Sequence, residues 1–127
     1  MAHDEHHEHL MKELTEQFEP MFSNSPQAIY LYLDDTHKIC NQKFADMLGY
    51  KSIEEWVANP TPVADVDEED RDKVIEAYGE ASDNFKASVV KATVTTKTDE
   101  KIKVQVIMTP LTYRGEVFVL HFISEEK

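Results

Sequence analysis

Only one cysteine, Cys40, and three glycines, Gly49, Gly79 and Gly115, occur among the 127 residues. A lone thiol cannot close an intrachain disulfide, which fits a reducing compartment and a cytoplasmic location. Three scattered glycines cannot build a phosphate-cradling loop or a nucleophile elbow, and no His-Glu-x-x-His helix is present, so no catalytic function is expected. Basic residues are also scarce: 13 Lys and Arg stand against 25 Asp and Glu, for a formal charge of -12. A field of that sign repels nucleic acid and anionic membranes, leaving neither as an expected partner. No stretch approaches the roughly 20 apolar residues of a membrane span. The opening MAHDEHHEHL lacks the basic start and apolar centre of a secretory signal.

What remains is ordinary for a folded chain: 41% hydrophobic and 30% charged residues, in a length that holds one domain. Met11, Leu14, Phe18 and Met21 recur at helical spacing, with Lys12, Glu13, Glu16 and Gln17 on the other faces. An amphipathic helix over about residues 1–22 is predicted, ended or kinked by Pro20 and flexible at its His/Glu-rich start. Two heptads are marginal alone, so the stripe must bury on the domain or on a second copy. AIYLYLDD reads as a strand, DDTH as a tight turn and KIC as the returning strand. In KICNQKFADMLGY, Asn41 is placed to cap a two-turn helix whose inner face holds Phe44, Ala45 and Leu48, and Gly49 suits a left-handed terminus. Ser52 and Glu55 form a capping-box pattern for a second short helix stopped at Asn59-Pro60, with TPVADV as the link onward. The acidic DEED opens a longer helix with Val74, Ile75, Tyr78 and Ala81 inward. VVKATVTT, KIKVQVIM and EVFVLHFI then read as a three-stranded antiparallel meander, with LTYRG as a loop.

Four segments in this order resemble the PAS domain family over roughly Glu16 to Ser124. EQFEPMFSNSPQAIYLYLDD is similar to its entry, KICNQKFADMLGY to its Asn-helix-Leu-Gly-Tyr stretch, DVDEEDRDKVIEAYGEA to its long helix, and GEVFVLHFIS to its final strand. The resemblance implies an α+β fold: a five-stranded antiparallel sheet in the order 2-1-5-4-3, with short helices and one longer helix on one face over a ligand pocket. The domain proper would span residues 23–124, preceded by the N-terminal helix and followed by a tail at 125–127. Such modules sense small molecules or bind proteins in signal transduction. Glu68 replaces a usual Pro, Asp99-Glu100 a usual Asp-Gly turn, and Phe122 the Asp of the family's ending. That Asp joins a salt bridge toward a following helix, so output through the N-terminal helix is the alternative route.

The resemblance places Tyr30, Tyr32, Phe44, Leu48, Trp56, Val74, Tyr78, Leu120 and Phe122 around the pocket. Val117, Val119, His121 and Ile123 then face outward with Met11, Leu14, Phe18 and Met21, against the helix or in a homodimer. The pocket is expected empty or holding a noncovalent small molecule, with a downstream signalling protein as further partner. Haem is disfavoured because Asp67 to Asp83 contains no His, and covalent flavin because IEEWVANPTPVADV contains no Cys. Cys40 is read as an inert small hydrophobe. His3, His6, His7 and His9 are read as a frayed chain start without a metal role, and His37 and His121 as structural or surface residues. DVDEED lacks the glycine and ligand spacing of a calcium loop. Two further readings stay open: a cone-shaped α+β enzyme like steroid isomerases and dehydratases, which needs a buried Asp beside Tyr30 or Tyr32, and a purely structural dimerisation unit.

Overall fold

A computed structural model describes residues 2–34, 36–59 and 65–126, with side chains from His6 onward. The expected link TPVADV and the Pro60 stop therefore fall largely outside the described residues, as do Asp35 and the side chain of His3. The elements follow in the order α1 (Ala2–Asn24), β1 (Ala28–Asp34), β2 (His37–Cys40), α2 (Gln42–Met47), α3 (Ile53–Val57), α4 (Glu68–Asn84), β3 (Ser88–Thr95), β4 (Lys101–Tyr113) and β5 (Glu116–Glu125). All five strands join one antiparallel sheet in the order β2-β1-β5-β4-β3. The α+β class and strand order match the expectation.

Helices α2, α3 and α4 cover one face of this sheet, and α1 covers the other. On the outer face Leu10, Met11, Leu14 and Phe22 of α1 pack with Ile29, Leu31, Phe118 and Leu120. Leu10, Leu31 and Phe118 show no exposed surface. Pro20 does not end the helix, which continues to Asn24. The backbone hydrogen bond that Pro20 forfeits is offset by the docking of Phe22 and by Asn24 Nδ2, which donates to the Pro20 carbonyl at 2.8 Å. The apolar stripe is thereby longer than Met11, Leu14, Phe18 and Met21 alone, and Phe18 and Met21 sit at its partly buried margin.

β4 also outruns its expected end, because Leu111 and Tyr113 keep the alternation and pack against the α1 cluster. Tyr113 Oη and Arg114 Nη2 both reach Glu13 Oε2 at 3.2 Å, fastening the strand end to α1. Only Arg114 and Gly115 remain for the turn, at φ +49° and +83°, the left-handed pair of a primed two-residue hairpin.

The inner helices are pinned by polar contacts. Asn41 Oδ1 accepts from the amides of Phe44 (3.0 Å) and Ile29 (3.1 Å), and its Nδ2 donates to the Gln27 carbonyl (2.9 Å). One side chain thus caps α2 and ties it to β1. Gly49, at φ +79°, turns the chain after α2 as anticipated. Ser52 caps α3 by accepting from the Glu55 amide at 3.1 Å, while Glu55 reaches back to the Lys51 amide at 3.2 Å. Lys38, nearly fully buried, donates to the Val57 and Asn59 carbonyls at 2.9 and 2.8 Å, satisfying the C-terminal end of α3. Asp70 Oδ2 accepts the Thr93 amide at 2.8 Å and ties α4 to β3.

Candidate ligand cavity

Between the inner sheet face and the three pinned helices lies a cavity of about 260 Å³. Its wall combines Tyr30 and Tyr32 from β1, Phe44 and Leu48 at α2, Trp56 from α3, and Val74, Ile75 and Tyr78 from α4. The sheet floor adds Ala92, Val94, Val104, Val106, Met108, His121 and Ile123, and Asp65 and Val66 stand at the rim. Aromatic rings meet closely here. Tyr30 lies 4.8 Å from Phe44 and 5.1 Å from Trp56 between centroids, and Tyr32 meets Tyr78 edge-on at 5.3 Å.

Of the nine residues expected at the pocket, Tyr30, Tyr32, Phe44, Leu48, Trp56, Val74 and Tyr78 line this cavity. Leu120 and Phe122 do not: they point into the outer cluster beneath α1. Conversely Val119, His121 and Ile123, expected outside, face inward, and Val117 shares their side by the two-residue alternation. The cause is pairing register. Residues opposite one another in an antiparallel pair share a side, and β1 places Ala28, Tyr30 and Tyr32 opposite Ile123, His121 and Val119. β5 is apolar on both sides, so its own sequence does not choose between them, whereas its partner strand does. Once Tyr30 faces inward, His121 must as well. The outer side receives Leu120 opposite Leu31 and Phe122 opposite Ile29.

Of the residues expected on the outer face, His121 is the one that brings a polar ring into the cavity. Its ring stacks on Tyr30 at 3.8 Å and 12°, and it is fully buried. Burial drives its pKa down to about 3 and outweighs the Val119 and Tyr30 carbonyls, which favour the charged form; Nδ1 lies 3.0 Å from the Val119 oxygen. The ring is thus neutral across the physiological range. A lone histidine in the apolar run FVLHFI was the available signal. Burial also raises the Tyr30 hydroxyl, so it stays protonated and able to donate.

At the rim Tyr50 Oη donates to Asp65 Oδ2 at 2.8 Å, and Asn59 Nδ2 donates to Tyr50 Oη at 3.0 Å. Desolvation lifts the Asp65 pKa above the usual carboxylate range, the Tyr50 hydrogen bond opposing it. Cys40, buried on β2, is not among the lining residues, and burial holds its thiol up at about 12. Such a thiol is protonated and unreactive near neutrality.

The comparisons agree with this geometry. A family model described as PAS domain matches residues 16–83, more than half of the chain. No curated protein matches it. Among solved structures, a PAS domain from a two-component sensor histidine kinase superposes with a TM-score of 0.67 at 19% identity, covering 91% of this chain and 99% of that one. The PAS domain of an HTR-like protein from Haloarcula marismortui gives 0.64 at 21% identity, covering 96% and 99%. A LOV protein from Rhodobacter sphaeroides gives 0.70 at 16% identity, covering 90% and 67%. With the family model matched over most of the helical half and the sheet order in place, the chain belongs to the PAS domain family.

Proposed function

We propose that this PAS domain is a sensory signalling module whose input is a small molecule held noncovalently in the cavity between the inner sheet face and α2–α4. The single observation that carries the reading is the cavity itself: about 260 Å³ lined by six aromatic rings, His121 among them, yet left unfilled by the side chains of the described residues. Cores pack to near-crystalline density, and unfilled space of this size is costly unless something occupies it. The wall chemistry favours a compact, flat, largely apolar molecule with one or two polar groups to meet Tyr30, Tyr78 or the Asp65 rim. The absence of His from α4 and the unreactive Cys40 argue for noncovalent binding rather than for haem or a covalent flavin.

Signal output in this reading passes through the sheet to α1. His121 and Leu120 are neighbours on one strand: the first floors the cavity and the second meets α1. A ligand that shifts β5 therefore moves the surface on which α1 rests. The apolar outer face that would drive a homodimer is occupied by α1 of the same chain, so a dimer through it requires α1 to leave. The enzyme alternative asks for a buried Asp beside Tyr30 or Tyr32, but Asp65 is engaged by Tyr50 and Asn59, which favours the sensory reading. Among the described residues no helix is long and apolar enough to cross a membrane.

Native mass spectrometry of protein purified from its own host tests the proposal. The expected spectrum contains a noncovalent adduct that unfolding releases and that Val106→Phe, which fills the cavity floor, abolishes without unfolding the chain. A bare chain mass in both proteins supports the purely structural unit instead.

A further inference from the structure

Where α1 crosses the β1–β2 hairpin, His7 converges on a pair of side chains from a distant part of the sequence, Asp34 and His37. His7 Nδ1 lies 3.5 Å from Asp34 Oδ2, and His37 Nδ1 lies 2.8 Å from Asp34 Oδ1. The His7 and His37 rings meet edge-to-face at 5.4 Å, and both side chains are about nine-tenths buried. One donor atom from each of the three residues falls within 4.8 Å of the others. Glu116, at the start of β5, closes a fourth side with Oε1 3.4 Å from His7 Nε2.

We propose that His7, Asp34 and His37 form a transition-metal site that clamps α1 to the edge of the sheet. Tetrahedral zinc with bonds of about 2.0–2.1 Å needs donors roughly 3.3–3.5 Å apart, so small rotamer shifts suffice to bring these atoms onto one ion. Two imidazoles and one carboxylate suit zinc, nickel, copper or cobalt, whereas calcium and magnesium call for oxygen donors throughout. The carboxylate is already oriented. Asp34 Oδ1 accepts the amides of His37 and Thr36 at 2.8 and 3.0 Å and the Thr36 hydroxyl at 2.9 Å, which leaves Oδ2 turned toward His7. Backbone donors thereby fix the ligand whether or not a metal is bound, the part a supporting shell plays in metal sites. Asp34 and Glu116 together supply two negative charges to a dication, within a chain of net charge -12. The motif is illegible in sequence because His7 is 27 and 30 residues from its two companions. In the chain it stands beside His6 and His9, which draw attention to the exposed histidines instead.

The site is independent of the cavity, since neither His7 nor His37 lines it. Its consequence is mechanical: bound metal would hold the N-terminal half of α1 on the hairpin.

The test is calorimetric titration of the tag-free full chain with Zn²⁺, repeated on His37→Gln, Asp34→Asn and a His3→Ala/His6→Ala/His9→Ala triple variant. Circular dichroism and Trp56 fluorescence establish that each variant is folded. The expected result is one Zn²⁺ per chain, affinity lowered on the order of 100-fold by His37→Gln and by Asp34→Asn, and unchanged in the triple variant. Zn²⁺ should also raise the melting temperature of the wild-type chain but not of His37→Gln. Binding that survives both single changes, binding lost only in the triple variant, or no Zn²⁺ uptake by the wild-type chain would each overturn the assignment.

Discussion

The two faces of this sheet are built from similar apolar strands, yet one is sealed and the other encloses about 260 Å³ of space. The covers differ, not the strands. On the outer face α1 is one continuous helix whose Leu10 and Leu14 meet Leu31 and Phe118, and its polar ties, such as Glu13 to Tyr113 and Arg114, are made by side chains with no helix terminus to satisfy. On the inner face the cover is three separate helices of six, five and seventeen residues. Each is anchored by a polar contact with strict geometry: Asn41 for α2, Lys38 for α3 and Asp70 for α4. A buried hydrogen bond that is broken costs more than a methylene left without a neighbour, so these anchors hold the helices off the floor. Packing decides the outer face, and polar satisfaction decides the inner one.

The sealed face should answer most strongly to truncation. Phe118 is fully buried beneath α1, and Phe118→Ala removes its ring from a layer with little room to collapse. The expected loss is about 3–5 kcal/mol in urea denaturation, with an unchanged m-value. A cost near 1 kcal/mol would mean that α1 does not rest on the sheet in solution.

Next in size is an acid sensitivity that belongs to the inner face. His121 titrates at about 3 in the folded chain and near the ordinary histidine value of roughly 6.5 when unfolded. Between those values the unfolded chain binds a proton that the folded chain refuses, so stability falls as pH falls, by about 1.4 kcal/mol per pH unit. Above the unfolded value the contribution is fully present. His121→Phe keeps the stacked ring and removes the titration. Denaturation midpoints at pH 7, 6, 5 and 4.5 should show the wild-type chain losing about 2–3 kcal/mol more than the variant. Parallel curves would show that water reaches His121. Asp34 and Asp70, whose pKa values are lowered by the hydrogen bonds they accept, lose their contributions only below this window.

The same contrast explains what could be read from the sequence. Local signals were legible: the Asn41 and Ser52 caps, the left-handed Gly49 and the β1–β2 hairpin rest on residues within a few positions of each other, whereas the strand order, which sets β1 beside β5, came from the resemblance to the PAS family. The cavity walls on α2, α3, α4 and β1 were legible through the resemblance to the PAS family, which chose the Tyr30 and Tyr32 side of β1 where alternation alone leaves two choices. β5 was not. Phe118, Leu120 and Phe122 alternate with Val119, His121 and Ile123, and neither set is more apolar by a margin that decides the side. Its orientation comes from the register with β1, a non-local fact. Pro20 misled for a related reason: intrinsic preference ends a helix there, while tertiary burial of Phe22 continues it. The convergence of His7 on Asp34 and His37 was hidden by a third reading, that of the His/Glu-rich start as frayed, since it needs that turn of α1 to lie on the β1–β2 hairpin.

The smallest effect tests the contrast most directly, because it adds atoms instead of removing them. Leu14 is sealed against the outer strands at 1% exposure, so Leu14→Phe must displace neighbours or leave its rotamer. The expected cost is about 1–3 kcal/mol. Val74 lines the cavity from α4, and Val74→Leu adds one methylene toward open space while exchanging a β-branched residue for a better helix former. Its effect should lie within about 0.5 kcal/mol of zero, on the stabilising side, because the added group gains contacts that nothing else supplies. Paired urea titrations of the two variants give the difference directly. Equal costs would mean that the inner face closes in solution as tightly as the outer one, and the reason for expecting a ligand there would go with it.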